Sequence, residues 1–93
     1  MIKSFRCAET ERIFQGQSSP KFPSTIQNVA RRKLRQLDAA TILPDLKVPP
    51  GNRLEALKDD RQGQYSIRVN DQYRICFEWS GSDAFGVELV DYH

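Results

Sequence analysis

The second half of the chain alternates apolar and polar residues with a period of two, the pattern of half-buried β-strands. Four strands are predicted in this way, over residues 53–57, 65–69, 73–79 and 84–91. In the third strand, one face is expected to carry Tyr73, Ile75, Phe77 and Trp79, and the other Arg74, Cys76 and Glu78. The alternation therefore predicts one face packed on a core and one face available for chemistry.

Short polar segments separate the predicted strands. Asn70-Asp71-Gln72 and Ser80-Gly81-Ser82-Asp83 are typical of hairpin turns. In the second strand, Tyr65, Ile67 and Val69 share the apolar face and leave Ser66 and Arg68 opposite. Because hairpins join neighbouring strands, an antiparallel meander is the simplest topology.

The strongest helical signal covers residues 24–38. Its apolar positions recur at helical spacing and are Ile26, Val29, Ala30, Leu34 and Leu37. Ser24 is the expected N-cap, and Gln27 three residues later would complete a capping box. The sequence thus predicts one long helix with a defined start.

Shorter elements complete the predicted fold. A helix over 8–15 and an edge strand over 2–5 precede the long helix, whereas prolines and Gly51 keep the segment 41–52 largely irregular. Helices early in the chain followed by strands predict an α+β fold, in which both helices cover the apolar face of a twisted sheet. With 93 residues the chain has room for one domain, expected over residues 1–93.

Composition narrows the function classes without choosing one. The formal net charge of +2 is a mild basic excess, compatible with contacts to nucleic acid. Cys7 and Cys76 lie far apart in sequence, which argues against a zinc cluster and a disulfide framework. No segment approaches the roughly 20 apolar residues of a membrane span, and residues 1–6 are not an apolar signal segment. A cytoplasmic protein with reduced thiols, and no membrane partner, is expected.

The polar residues of the second half are those that RNA cleavage requires. Phosphate-loop, dinucleotide-binding, zinc-protease and nucleophile-elbow motifs are absent from the sequence. RNA breaks without a metal ion when its 2′-hydroxyl attacks the adjacent phosphate, with help from a base, an acid and cations. The candidates for these roles are Arg53, Glu55, Lys58, Arg61, Arg68, Arg74, Asp91, Tyr92 and His93. Neither a cofactor nor a metal ion is predicted.

Asp91, Tyr92 and His93 are the candidates for proton transfer. His93 is the single histidine, and an ordinary histidine pKa of about 6.5 suits an acid or a base at neutral pH. Asp91 would orient His93 or accept the 2′-hydroxyl proton, and Tyr92 would stack on a base or stabilise a leaving oxygen. The alternative is that these residues only end an outer strand.

The cations have competing interpretations too. Arg68 and Arg74 fall on the non-core face of neighbouring strands, where they either clamp one phosphate or are ordinary surface charges. Lys58 either contacts phosphate or forms a loop ion pair with Asp59 or Asp60. A solvated helix face is favoured over phosphate contacts for the cations of the long helix, Arg31, Arg32 and Arg35.

Three segments together resemble the HigB-type toxins of bacterial toxin–antitoxin modules, plasmid maintenance killer proteins of the RelE/ParE superfamily. The segments are Met1-Ile2-Lys3-Ser4-Phe5, then Arg53-Leu54-Glu55-Ala56-Leu57-Lys58 with Tyr65-Ser66-Ile67-Arg68-Val69-Asn70-Asp71-Gln72-Tyr73-Arg74-Ile75-Cys76-Phe77, and Asp91-Tyr92-His93. The likeness covers nearly the whole chain. The stretch Pro49-Pro50-Gly51-Asn52-Arg53-Leu54-Glu55 is particularly similar to the GraT subgroup.

The resemblance implies a RelE-like fold and ribosome-dependent cleavage of mRNA, which stops translation and growth. It also implies neutralisation by a HigA- or GraA-like helix-turn-helix antitoxin, through which the complex reaches operator DNA. By position, the residues of cleavage would be Lys58, Asp91, Tyr92 and His93, and Arg74 matches the strand arginine of the superfamily, with Arg68 a weaker match. Arg53 and Arg61 are further candidates for RNA contacts from their residue type alone. Glu55 stands where some HigB toxins have a histidine, so slower cleavage or redistributed roles are expected.

Two other functions stay open at this point. A ParE-like gyrase poison would share the broad fold and need no acid–base pair, although the ending Asp91-Tyr92-His93 argues against it. A non-catalytic RNA- or protein-binding module would use the basic strand face for docking alone.

Overall fold

Two helices precede a four-stranded sheet in the computed structural model, which describes residues 1–91. The helices are α1 (Ala8–Phe14) and α2 (Ser24–Ala39). The strands are β1 (Glu55–Ala56), β2 (Gln64–Arg68), β3 (Tyr73–Ser80) and β4 (Asp83–Asp91). Short 3₁₀ helices lie in the connections, at Leu43–Lys47, Pro50–Asn52 and Asp59–Arg61.

The sheet is an antiparallel meander in the order β1-β2-β3-β4, as the hairpin turns predict. The segment 2–5 does not form the predicted edge strand. It makes only two isolated bridges to β4, at Ile2 and Phe5, and both are parallel. β1 is also shorter than the predicted 53–57, because Arg53 has a φ of 45° in the left-handed region, where an extended strand cannot continue.

The core lies between the helices and one face of the sheet. Residues buried in it are Ile13, Ala30, Leu34 and Leu37 from the helices, and Ile67, Ile75, Phe77, Val87 and Leu89 from the sheet. The predicted α+β architecture, with both helices on the apolar face, is therefore confirmed. Within residues 1–91, no helix combines the length and the apolar character needed to cross a membrane.

The start of α2 differs from the predicted capping box. Pro23 is the N-cap, Ser24 is the first helical residue, and no side chain caps the helix. The amide of Gln27 instead reaches back into the preceding loop, where its Nε2 donates to the carbonyl oxygens of Ser19 at 2.7 Å and Phe22 at 2.9 Å. Gln27 therefore anchors the loop rather than the helix end.

A β-bulge changes the phase of β4 halfway along its length. Cys76 pairs with Glu88 and Glu78 pairs with Phe85, so two residues of β4 lie opposite the single residue Phe77. One of the two is Gly86, whose φ of +59° is in the region that glycine adopts without strain. The bulge turns Glu88 to the face of the sheet that lies opposite the helices.

That face, called here the polar face, is less open than the sequence predicts. It carries Ser66, Arg74, Cys76 and Glu88, and the first three of these side chains are buried. They are covered because cations from neighbouring segments, Arg6 and Arg61, lie over the strands. The expectation of a second face freely available for chemistry is thus correct only at its margins.

Candidate active site

One polar residue from each strand forms a single row across the polar face. Glu55, Ser66, Cys76 and Glu88 are successive register partners on β1, β2, β3 and β4, and are called the polar row. Ser66 and Cys76 in the middle are fully buried, whereas Glu55 at one end is exposed. A carboxylate therefore stands at each end of the row.

Arg74 lies beside the polar row in a fixed position. Its Nε donates to Oγ of Ser66 at 2.8 Å, and its Nη2 donates to the carbonyl oxygen of Arg53 at 2.6 Å. Glu55 adds an ion pair, with Oε1 3.9 Å from Nη2. With only 9% of its surface exposed, Arg74 is neither a loose surface charge nor half of an open clamp. Its guanidinium is oriented before any substrate arrives.

The loop before β1 presents the carbonyl group that holds Arg74. Asn52 is fully buried there, and its Nδ2 donates to the carbonyl oxygen of Leu46 and to Oε1 of Gln36, each at 3.1 Å. Nζ of Lys33 on α2 donates to Oδ1 of Asn52, the oxygen of the same amide group. These bonds tie the loop to α2, and the left-handed backbone at Arg53 then directs its carbonyl group toward Arg74.

Two more arginines meet at the β4 end of the polar row. Nη2 of Arg61 lies 3.4 Å from Oε1 of Glu88, and Nε of Arg6 lies 3.4 Å from Oε2. Arg61 also donates to Oε1 of Gln64 at 3.1 Å, so its guanidinium spans from β2 to β4. Arg6 packs against Gly86. The guanidinium groups of Arg6, Arg61 and Arg74 thus surround the buried centre of the row.

Cys76 lies at that centre as a neutral thiol. Burial raises its pKa, and the charge of Glu88 acts in the same direction, whereas Arg61, Arg74 and Arg6 lower it. A thiol with a raised pKa is a poor nucleophile. Both cysteines are free, as the sequence predicts, and Cys76 serves as packing beneath the cations.

Lys58 lies in the connection between β1 and β2. It is exposed and immediately precedes the 3₁₀ helix Asp59–Arg61, whose last residue is the cation bound to Glu88. The backbone of this turn closes with a bond from the Arg61 amide to the Lys58 carbonyl oxygen, at 3.1 Å. Within residues 1–91, Lys58 makes no ion pair with Asp59 or Asp60. The loop ion pair considered above is therefore not formed.

Arg68 lies directly opposite Arg74, but its charge is directed elsewhere. Its guanidinium forms an ion pair with Asp71 in the β2–β3 turn, where the carboxylate is almost completely exposed. Exposed pairs of this kind contribute little to stability. Arg68 also lies near α2, since burial lowers the pKa of Lys33 and the charges of Arg32 and Arg68 lower it further.

Asp91 lies at the end of β4, opposite Tyr73. That register places it on the helix side of the sheet, whereas the partner of Arg74 is Val90. Nε2 of Gln72 donates to Oδ2 of Asp91 at 2.9 Å. The predicted catalytic residues Tyr92 and His93 lie outside the described residues, so their approach to Arg74 and Lys58 stays a prediction.

The α2 cations divide into two kinds. Arg32 and Arg35 are exposed, as a solvated helix face requires. Arg31 is different, because its Nε donates to the carbonyl oxygen of Ile13 at 2.8 Å and its Nη2 to that of Gln17 at 3.2 Å. The expectation of a solvated Arg31 is wrong, since this side chain joins α2 to the end of α1.

Sequence reasoning assigned no role to four residues that build this site. They are Arg6, Asn52, Ser66 and Glu88. The predicted hairpin between β2 and β3 places Ser66 beside Cys76, so part of the polar row was accessible from the sequence. Glu88 was not, because counting back from the β3–β4 turn without the bulge would place it on the core face.

Comparison with known proteins agrees with this fold. A family model described as the RelE-like toxin of the type II toxin–antitoxin system HigB matches residues 3–93. The chain belongs to this HigB family. Toxin HigB-1 of Vibrio cholerae is 54% identical over 67 residues, covering 72% of this chain and 70% of that protein. Endoribonuclease HigB of Proteus vulgaris is 31% identical over the whole length of both chains.

A solved structure described as a YoeB/ParE toxin from Agrobacterium tumefaciens overlaps in part. It is 22% identical with a TM-score of 0.42, covering 71% of this chain and 76% of that chain. Membership of the HigB family confirms the predicted RelE-like fold and the role as a type II toxin with an antitoxin protein as partner. The GraT-like subgroup and the catalytic residues stay predictions.

Proposed function

We propose that this HigB toxin is an endoribonuclease that cleaves mRNA on the ribosome and thereby stops translation and growth. The observation that carries the proposal is Arg74, which is buried, oriented by Ser66 and Arg53, and placed beside two further cations of the same face. A preoriented guanidinium stabilises charge that develops on a phosphate. The Proteus vulgaris relative is named an endoribonuclease, which supports the same activity.

The reaction begins with attack of the 2′-hydroxyl on the adjacent phosphate. Arg74 stabilises the growing negative charge, and Arg61 and Lys58 approach the phosphate from the turn beside it. Arg53 and Arg68 contact the flanking RNA. Tyr92 and His93 supply the base that takes the 2′-hydroxyl proton and the acid that protonates the leaving 5′-oxygen, and Asp91, which lies on the helix side of the sheet, orients His93. This chemistry needs no metal ion or cofactor, so cleavage should persist in a chelator.

Glu55 modifies the site rather than blocking it. A carboxylate near the substrate would repel phosphate, but Arg74 lies 3.9 Å from Glu55 and offsets its charge. The side chain of Glu55 is 53% exposed, so it can also reach a substrate hydroxyl as a base. Slower cleavage than in relatives with a histidine at this position is the expected consequence.

The partners follow from this activity. The ribosome holds mRNA in the geometry that the toxin cuts, which places the toxin in the cytoplasm. A HigA- or GraA-like helix-turn-helix protein is the proposed antitoxin, and operator DNA is reached only through it. Residues 1–93 form a single toxin domain in this proposal.

Primer-extension mapping on purified ribosomes tests the proposal, with Lys58→Ala and a His93 deletion as variants. The wild-type protein should produce new mRNA ends, and each variant should reduce cutting about 10²-fold or more, since each removes a cation or a proton-transfer group. Lys47→Ala, which removes an exposed lysine from a different turn, is the matched control and should cut normally.

Lys58→Ala and the His93 deletion should also abolish growth arrest, and both variants should still bind the antitoxin. Full toxicity of both variants would show that the catalytic assignment is wrong. If the protein inhibited supercoiling by gyrase and cut no mRNA, the nuclease assignment would be wrong and the protein would be a topoisomerase poison.

A further inference from the structure

Glu88 is a mostly buried carboxylate between two arginines of the polar face. Its side chain is only 14% exposed, and both of its oxygens lie 3.4 Å from a guanidinium nitrogen, Oε1 from Arg61 and Oε2 from Arg6. Oε2 has no hydrogen bond within residues 1–91 and no contact with solvent. Oε2 is thus held by the charge of Arg6 rather than by a hydrogen bond.

Burial of this carboxylate is costly, and the polar face offers a reason for it. Removing an ion from water costs several kcal/mol unless partners of opposite charge compensate. Arg6, Arg61 and Arg74 all lie close enough to Cys76 to shift its pKa, so three like charges converge on one small area. Without Glu88, the guanidinium groups of Arg6 and Arg61 would be repelled by each other and by Arg74, and would turn outward to solvent.

Arg61 depends on Glu88 for its direction. Its turn connects β1 to β2, yet its guanidinium extends across β2 and β3 to meet β4, with Gln64 as the only other side chain that it bonds within residues 1–91. A long arginine side chain loses rotamer freedom in such a position, and an ion pair with a buried carboxylate offsets that loss.

We infer that Glu88 is a positioning residue, which holds Arg61 and Arg6 over the polar row so that their charges meet the phosphate of the cleaved bond. It touches neither substrate nor reacting atoms. This inference rests on the proposed nuclease function. It assigns to Glu88 an effect on the rate of the bond-breaking step rather than on the binding of mRNA.

Kinetics on ribosome-bound mRNA test the inference with Glu88→Gln, which keeps the size and one acceptor oxygen but removes the charge. We expect kcat to fall about tenfold while KM changes less than about twofold, because an interaction specific to the transition state is loosened. Glu88→Asp, which keeps the charge, should recover part of the loss. Thermal unfolding and antitoxin binding establish that each variant is folded.

A double-mutant cycle shows whether Glu88 acts through Arg61. In an Arg61→Gln background, Glu88→Gln should lower kcat less than about threefold, since the cation that it positions is already absent. The matched control is Glu78→Gln, which removes an exposed carboxylate from the same face of β3 and should leave kcat unchanged.

Two results would overturn the inference. One is a kcat of Glu88→Gln equal to that of the wild type, with or without a raised KM, and the other is full additivity with Arg61→Gln. Wild-type protein that cuts no mRNA would instead remove the proposed function on which the inference rests, so the two failures are distinguishable.

Discussion

At the scale of single residues, the site consists of cations that are fixed in place by polar neighbours. Arg74 was predictable from the sequence, because its position on a strand and its place in the family resemblance agreed. Its burial was not, since the covering contacts come from the carbonyl group of Arg53 and the hydroxyl group of Ser66. Backbone carbonyl directions in irregular loops leave no pattern in a sequence.

Arg74→Lys tests whether cleavage needs the oriented guanidinium of Arg74 or only its positive charge. Lysine keeps the charge but cannot donate to Ser66 and Arg53 in the planar geometry of a guanidinium. We expect a loss of about 1–3 kcal/mol in the free energy of unfolding, measured in urea, because buried acceptors lose their donor. Cleavage should fall about 10²–10³-fold. Arg35→Lys on the exposed face of α2 is the control, and a fully active Arg74→Lys would contradict the role given to the guanidinium.

At the scale of elements, the periodic parts of the chain were predicted and the irregular parts were not. α2 and the four-strand meander came from the spacing of apolar residues, and the structure confirms both. The segment 41–52 gave no such pattern, yet it contains Asn52, whose buried amide fixes the loop that leads to Arg53. A single polar side chain that satisfies several backbone groups cannot be recognised from hydrophobic periodicity.

Asn52→Ala tests the link between this loop and the site. Removing the amide leaves buried partners such as the Leu46 carbonyl group without a donor, so we expect a loss of about 2–3 kcal/mol in unfolding free energy. Cleavage should also fall in the fraction that remains folded, because the Arg53 carbonyl group no longer holds Arg74. Asn28→Ala, at an exposed position of α2, should change stability by less than about 0.5 kcal/mol. Normal cleavage by a stable Asn52→Ala protein would show that this loop does not position Arg74 for cleavage.

At the scale of the whole molecule, the charge is modest and locally compensated. The net charge is +2, and Glu88, Glu55 and Asp71 each lie beside an arginine. Phosphate contacts supply most of the non-specific affinity for nucleic acid. The toxin therefore should hold RNA weakly and depend on the ribosome to present it.

Cutting of naked RNA at different salt concentrations measures this dependence. If Lys58, Arg61 and Arg74 each meet one phosphate, log affinity for single-stranded RNA should fall with log salt at a slope of about −2, from roughly 0.7 per contact. Cutting should be detectable at low salt and nearly absent at physiological salt, with ribosomes restoring it. Efficient cutting of naked RNA at physiological salt would contradict the proposed need for the ribosome.

The bulge at Gly86 has a consequence for how this strand is compared among relatives. One additional residue there reverses the inward and outward assignment of everything that follows in β4, Glu88 and Asp91 included. In a homologue that is one residue shorter at this point, the opposite set of β4 side chains would lie on the polar face, even if the rest of the strand were identical in sequence. Alignments should accordingly place gaps by the pairing of β3 with β4, and deletion of Gly86 would invert the strand rather than merely shorten it.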